Sequence, residues 1–238
     1  MLKNWQEELQ KVAHPEKIKI FQSFFKTDKG EYGEGDKFIG VSVPDNRKVA
    51  QKYFRTTFDD IATMLHHEIH EFRLSALLAL VHRYKKEKNE NERQAIIDFY
   101  LDNSEWCNNW DLVDLSAPYL LGTHMLTHPS PTLLRTLSND INLWRQRIAI
   151  VSTLMLIRNH RFDDTLSLCE KYLSHPHPLI HKATGWMLRE IGKKDEQILL
   201  KFLDQHSTKM PRTALRYSLE RLSPEKRQYY MVISKKTK

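Results

Sequence analysis

Apolar residues recur at intervals of three and four along almost the whole chain, the spacing that places them on one face of an α-helix. The segments IAIVSTLM at 148–155 and LLALVHRY at 77–84 are clear examples. No stretch of strand length alternates apolar and polar residues with a period of two, so we expect an all-α fold without a sheet. The predicted helices cover residues 3–13, 16–26, 45–55, 58–67, 70–87, 91–102, 106–126, 131–137, 142–159, 163–173, 178–193, 195–205, 211–220 and 224–231.

A short pattern recurs at the start of several predicted helices, where a basic residue is followed within three positions by alanine. The interval from Arg73 to Arg147 is 74 residues, with Trp110 at its midpoint, and the next intervals, to Lys182 and then Arg212, are 35 and 30 residues. A recurrence in the thirties with two helices per unit is typical of an α-solenoid, a superhelical array of antiparallel helix pairs. Matching positions in such an array line one concave face, so we expect these five residues to form a row along a groove.

The glycines mark the one segment that departs from the array. Four of the seven glycines lie within residues 27–43, which lack the G-K-[S/T] ending of a phosphate-binding loop and follow no strand. We interpret this segment as a long loop that joins the N-terminal helices, residues 1–26, to the helical array at 44–231 and folds over the groove. With a basic tail at 232–238, we predict a single domain over residues 1–238.

The charge of the chain favours a polyanionic partner. The net charge is +7 and the pI is about 9.3, and a row of basic residues that includes an aromatic side chain suits a nucleic-acid backbone. The alternative is that each basic residue only solvates a helix start. Two cysteines form no disulfide framework, the N-terminus has no signal-peptide pattern, and no apolar run has membrane-spanning length. We therefore expect a soluble, cytoplasmic protein that does not associate with a membrane.

Trp110 and Asp114, in the segment NNWDLVD, are the most informative pair in the sequence. They are separated by four positions in a predicted helix, so both side chains project from the same face. An aromatic ring beside a carboxylate contributes little to a core but binds a cation well. Other candidate motifs do not match a catalytic or metal-binding pattern. The segment HHEIH at 66–70 lacks the spacing of a zinc protease motif, and no nucleophile triad or catalytic carboxylate pair is present. We expect no metal and no cofactor.

The chain resembles the AlkD family of DNA alkylation-repair glycosylases in three ordered motifs. These are NWDLVD at 109–114, WRQRIA at 144–149 and KATGWMLRE at 182–190, and the resemblance extends from about residue 15 to about residue 220. It implies a fold of HEAT-like helical repeats. It also implies removal of N3- and N7-alkylated purines from duplex DNA without flipping the base into a pocket, and the sequence shows no obvious pocket-forming loop.

The resemblance also assigns roles to individual residues. The family's catalytic aspartate corresponds to Asp114, its sugar-contacting tryptophans to Trp110 and Trp186, and its helix-start arginine to Arg147. A family tyrosine falls near Phe25, where this chain has no hydroxyl group. The residues that we expect to contact DNA are Arg73, Arg145, Arg147, Lys182 and Arg212.

These residue types suit the chemistry that the resemblance implies. Alkylation makes the purine cationic and weakens its glycosidic bond, and as the bond breaks the positive charge moves to the deoxyribose. A carboxylate at Asp114 stabilises that charge, and no acid is needed for a base that is already cationic. We therefore expect a monomeric enzyme that is nucleoid-associated when it is bound to alkylated double-stranded DNA. The alternative is a non-catalytic HEAT-like scaffold that binds nucleic acid or protein through the same groove.

Overall fold

The protein is built from α-helices, and most of the connections between them are short. A computed structural model of the chain describes residues 1–234. Its helices are α1 (Leu2–Lys11), α2 (Ile18–Phe25), α3 (Val43–Ala50), α4 (Phe58–Leu65), α5 (His70–Lys86), α6 (Glu90–Asp102), α7 (Trp110–Asp114), α8 (Pro131–Ser138), α9 (Leu143–Ser152), α10 (Leu154–Arg158), α11 (Asp163–Lys171), α12 (Pro178–Lys194), α13 (Glu196–His206), α14 (Arg212–Leu219) and α15 (Pro224–Ile233). Among residues 1–234 no strand forms, and a single isolated bridge pairs Lys37 with Ile69. The prediction of an all-α fold without a sheet is confirmed.

The chain forms two compact units, Met1–Leu120 and Leu121–Lys238. In the first unit α5 is the central helix and packs against α3 and α4, with further contacts to α1 and α7. Its segment Phe72–Leu80 is buried on every side, as expected for a helix whose apolar residues occupy more than one face.

In the second unit α12 is the central helix and packs against α9, α10, α11, α13 and α14. The contact between α12 and α14 depends on Gly185, because a Cβ atom at that position would overlap the carbonyl oxygen of Ala214. Within residues 1–234, no helix combines the length and the apolar character that crossing a membrane requires.

Side-chain caps begin many of the helices at the positions where short polar residues precede an apolar run. The hydroxyl groups of Ser42, Thr57 and Ser223 accept hydrogen bonds from backbone N–H groups in the first turns of α3, α4 and α15. The amide oxygens of Asn89 and Asn142 do the same for α6 and α9. These caps satisfy N–H groups that have no partner within the helix, and they explain why the predicted starts lie close to the observed ones.

Two predicted helices are wrong as continuous elements. The prediction over 106–126 is replaced by a 3₁₀ turn at Ser104–Trp106, the five-residue α7 and a π-helical turn at Pro118–Gly122. Pro118 has no N–H group to continue the ladder, and the hydroxyl of Ser116 bonds back to the carbonyl of Leu112 at 2.5 Å. The prediction over 142–159 is divided at Thr153, whose hydroxyl donates to the carbonyl of Ile150 at 2.7 Å.

Helix α15 also extends into the basic tail that was predicted over residues 232–238. The first two residues of that tail, Val232 and Ile233, belong to α15. Residues 235–238 lie outside the described residues.

Candidate functional site

Trp110 and Asp114 are the first and last residues of α7, in the first unit. The helix begins here because Asn109, in an extended conformation, caps it: its side-chain oxygen accepts a hydrogen bond from the backbone N–H of Trp110 at 2.8 Å. Both side chains are half-buried, and both line the same cavity. The sequence-based expectation that the two residues share one face of a helix is therefore met by the geometry.

The cavity beside α7 has a volume of about 460 Å³ and is mostly apolar. Its lining comes from α2, α5 and α7 and from residues 38–44, which include the end of the glycine-rich loop and the start of α3. The expectation that the sequence contains no pocket-forming loop is thus wrong, since Phe38 and Val41 of the glycine-rich loop form part of the lining. That loop contributes to the site instead of only connecting two groups of helices.

Aromatic rings from α2 pack directly against Trp110. The ring of Phe25 stacks on Trp110 with centroids 5.2 Å apart and on Phe38 at the same separation. Phe24 meets Trp110 edge to face at 5.4 Å, yet it remains 60% exposed beside the cavity. Phe25, at the position where the family's tyrosine was expected, therefore contributes ring stacking without a hydroxyl group.

Next to these rings lies a buried cluster of four ionisable side chains and one amide, hereafter the ionic network, made of Asp36, His70, Arg73, Asp111 and Asn109. The His70 imidazole lies between two carboxylates, with Nδ1 3.0 Å from Asp36 and Nε2 2.9 Å from Asp111. Asp36 also accepts from Arg73 at 2.5 Å and from the Asn109 amide at 3.2 Å. The members of the network thus satisfy one another's charges away from water.

The network shifts the pKa values of two of its members. Burial by itself lowers the pKa of His70, but the charge and hydrogen bond of Asp111, together with Asp36, outweigh it and raise the pKa to about 9. For Asp36, burial acts to raise the pKa, and the hydrogen bond from His70 and the charge of Arg73 reverse this, so the pKa is lowered. At neutral pH His70 is therefore a buried imidazolium between two carboxylates.

Arg73 is the predicted DNA-contact residue whose position differs most from expectation. It is buried, and its guanidinium donates to the carbonyl oxygens of His67 and Glu68 as well as to Asp36. Burial of a guanidinium is costly unless its charge is paired, and Asp36 supplies that pair, although Nε makes no hydrogen bond among the described residues. Arg73 therefore supports the interior of the site, and the solvent-facing position that we predicted for it is wrong.

Glu71 is a residue of the site that the sequence analysis missed. Its buried carboxylate accepts hydrogen bonds from the backbone N–H groups of Ile39, Gly40 and Val41, at 2.8–3.1 Å. These bonds fix the part of the glycine-rich loop that lines the cavity. Glu71 lies in the first turn of α5, where an acidic residue is common because it complements the helix dipole, so nothing in the sequence indicated its buried partners.

The remaining predicted residues belong to the second unit. Arg147 is buried and donates to the carbonyl of Leu179 at 2.6 Å, in the first turn of α12. The same helix carries Lys182, whose side chain is exposed, and Trp186, which is half-buried. Arg145 pairs with Asp140 at 2.9 Å. Arg212 begins α14 and donates to the hydroxyl of Ser234 at 2.5 Å.

The chain is similar to known proteins both in sequence family and in fold. The family model described as "DNA alkylation repair enzyme" matches residues 5–222. The chain belongs to the DNA alkylation repair enzyme family. A solved structure described as a predicted DNA alkylation repair enzyme from Enterococcus faecalis superposes with a TM-score of 0.67 at 18% identity, covering 89% of this chain and 97% of that one. No curated protein matches the sequence significantly.

Membership of this family supports a role in DNA repair, with DNA as the partner. The structural likeness confirms the predicted fold class, the all-α, solenoid-like fold of the DNA alkylation repair enzymes. In this member of the DNA alkylation repair enzyme family, the cavity places a carboxylate and several aromatic rings side by side. Such a lining stabilises positive charge that develops beside it, through cation–π attraction and a nearby negative charge.

Proposed function

We propose that the protein is an alkylpurine DNA glycosylase, which hydrolyses the N-glycosidic bond of cationic N3- and N7-alkylated purines in duplex DNA. The observation that carries this proposal is the Asp114 carboxylate, one helical turn from Trp110 and beside an aromatic cavity, in a member of the DNA alkylation repair enzyme family. Alkylation at N3 or N7 places a positive charge on the purine and makes it a good leaving group. The enzyme then has to stabilise charge on the sugar.

Asp114 acts on the deoxyribose in this proposal. As the glycosidic bond breaks, the carboxylate stabilises the oxocarbenium-like sugar and orients the water that attacks it. Trp110 adds cation–π attraction as the charge develops, and Phe25 keeps its ring in place by stacking. The leaving base needs no proton donor because it is already cationic. The reaction requires no cofactor.

The family resemblance assigns further roles in this proposal to residues of the second unit. Trp186 contacts the sugar, and Arg145, Lys182 and Arg212 contact phosphates of the DNA. Arg73 and Arg147 leave the predicted DNA-contact set because both guanidinium groups are buried and bonded within the protein. We propose a monomer that acts on double-stranded DNA in the nucleoid.

The test is the release of 7-methylguanine from methylated duplex DNA by an Asp114→Asn variant. Asparagine keeps the shape of the side chain but removes its charge, so the release rate should fall about a hundredfold or more, with duplex binding nearly unchanged. Asp102→Asn, which removes a charge from an exposed position on α6, is the matched control and should keep wild-type release. Release at the wild-type rate by Asp114→Asn would remove Asp114 from the mechanism. Binding without any release by the wild-type protein would favour the non-catalytic scaffold.

We also propose that the base is not flipped into the cavity. Enzymes that flip a base read its hydrogen-bonding edge with polar groups. Among the described residues that line this cavity, His70, Glu71 and Asp111 already bond to other parts of the protein, and most of the others are apolar. The cavity therefore offers little with which to read a base, although it is large enough for an aromatic ring.

A panel of lesions separates the two mechanisms. Without a recognition pocket or an acid, the lability of the leaving group should govern the rate, so cationic N3- and N7-alkylpurines, including adducts larger than methyl, should be released. The neutral lesions hypoxanthine and ethenoadenine should stay in the duplex. Efficient release of either neutral lesion would contradict the proposal and indicate that the base enters the cavity.

A further inference from the structure

The ionic network connects three segments of the first unit that are distant in the sequence. Asp36 belongs to the glycine-rich loop, His70 begins α5, and Asp111 lies in the first turn of α7. The His70 ring is also covered by two aromatic rings, with centroid distances of 4.9 Å to Phe25 and 4.7 Å to Phe38. His70 is therefore bonded at both nitrogens and packed by aromatic rings.

The helix that carries Trp110 and Asp114 depends on such contacts because it is short. It has five residues, and a single helical turn of that length is unstable without tertiary support. The residues on either side of Trp110 are both bonded to the network: the Asn109 amide donates to Asp36 at 3.2 Å, and Asp111 bonds to His70 at 2.9 Å. The start of α7 is thus held from both sides.

The charges of the network match this arrangement. Two buried carboxylates, Asp36 and Asp111, are balanced by two buried cations, His70 and Arg73. A protonated imidazole donates at both nitrogens and can serve two acceptors at once, whereas a neutral imidazole donates at only one. The side chain between the carboxylates therefore has to be a cation with two opposed donors.

We propose that His70 is a positioning residue that, through Asp111 and through the Asn109–Asp36 bond, sets the orientation of α7 and so of Trp110 and Asp114. This inference rests on the proposed glycosylase activity for its catalytic meaning, but the positioning itself can be measured without substrate. It predicts that loss of the imidazolium slows the chemical step more than it weakens duplex binding.

The experiment compares His70→Gln with Ser75→Ala. Ser75 is buried on the same helix and accepts a hydrogen bond from the Trp5 indole at 2.8 Å, so its loss destabilises α5 without affecting the network. We expect His70→Gln to lower the single-turnover release of 7-methylguanine by about tenfold or more, while the Kd for duplex DNA changes by less than about threefold. Ser75→Ala should stay within about threefold of wild type in both quantities. Equal losses of release in the two variants, or a parallel loss of binding in His70→Gln, would overturn the proposal.

Hydrogen exchange separates this inference from the proposed function. The backbone amides of residues 110–114 should exchange faster in His70→Gln than in the wild-type protein, and Ser75→Ala should leave them unchanged. If the wild-type protein releases no base but this exchange pattern appears, the glycosylase proposal fails and the positioning role stands. Unchanged exchange in His70→Gln would refute the positioning role whatever the activity.

A second variant applies if His70→Gln does not fold. Asp111→Asn removes the charge and one of two acceptor oxygens, since Oδ1 accepts from the backbone N–H of Leu112 and Oδ2 accepts from His70. It should give the same pattern to a smaller degree, with slower release and preserved binding. Release at the wild-type rate by Asp111→Asn would contradict the role of the network.

Discussion

His70 is the residue of the site whose charge depends most on its surroundings. An exposed histidine is mostly neutral at pH 7.5, but the carboxylates of Asp111 and Asp36 raise the pKa of this buried ring to about 9. The folded protein therefore binds a proton at neutral pH that the unfolded chain releases. This difference links the stability of the protein to pH.

The stability of the protein should fall as the pH rises from about 6.5 towards 9. Because the folded pKa of His70 is above the unfolded value of 6.5, its contribution is complete below pH 6.5 and is lost as the pH rises through about 9. The contribution amounts to at most roughly 3 kcal/mol. Urea unfolding at pH 6, 8 and 9.5 would measure it, and His70→Gln should show a smaller decline over this range. An equal decline in both proteins would mean that other groups cause it.

The glycine-rich loop is the element whose predicted role differs most from its role in the structure. It bonds to the start of α5 through Lys37, with the His70 N–H donating to the Lys37 carbonyl at 2.8 Å, and through the Glu71 carboxylate. Gly40 lies at the centre of this contact, with φ of +85°. A Cβ atom there would overlap the carbonyl group of His14, so the loop and the connection after α1 approach closely only because this residue is glycine.

Substitution of two glycines with similar backbone angles should have different effects. Gly30 has φ of +83° and nothing within 4 Å of an added Cβ atom, so Gly30→Ala should cost about 1 kcal/mol of unfolding free energy from backbone strain alone. Gly40→Ala should cost about 3 kcal/mol or more, because strain is added to a steric overlap with backbone. Denaturant unfolding of the two variants gives the comparison. Similar costs would show that the loop moves away from His14 freely.

At the scale of the whole molecule, the net positive charge of the chain is complementary to the negative charge of DNA, its proposed partner. A net charge of +7 attracts a polyanion over a long range, but only exposed side chains can displace its counterions. Of the basic residues that we predicted to contact DNA, Arg73 and Arg147 are buried and bonded within the protein. Lys182 is exposed and makes the cleaner test of phosphate contact.

Binding to duplex DNA should weaken steeply with salt, and Lys182→Ala should reduce the slope of log K against log salt by about one unit. Lys3→Ala removes the same charge from an exposed side chain on α1 that we do not expect to contact DNA, and should leave the slope unchanged. Measurements between 50 and 200 mM salt, a range chosen because it spans roughly a thousandfold or more in the affinity of such complexes, would show the difference. Equal slopes for wild type and Lys182→Ala would remove this lysine from the set of DNA contacts.

The sequence alone determined the helical class of the fold, most helix starts, the family resemblance and the pair Trp110–Asp114. These features depend on local rules: periodic apolar residues, capping residues, and the fixed spacing of side chains on one helical turn. The helix breaks at Pro118 and Thr153 were not predicted from the sequence. The three- and four-residue spacing of apolar positions continues across both breaks, while the helical pattern of backbone hydrogen bonds does not.

Tertiary structure alone decided which polar residues are buried. Asp36, His70 and Asp111 are separated by more than thirty positions in the chain, and nothing in the sequence around each of them shows that they share one network. The sequence around Arg73 is compatible with a contact to DNA or to Asp36, and only packing against the glycine-rich loop determines which partner it has. A residue pattern specifies which face of an element is apolar, whereas the partner of a charged group depends on which distant segment folds against it.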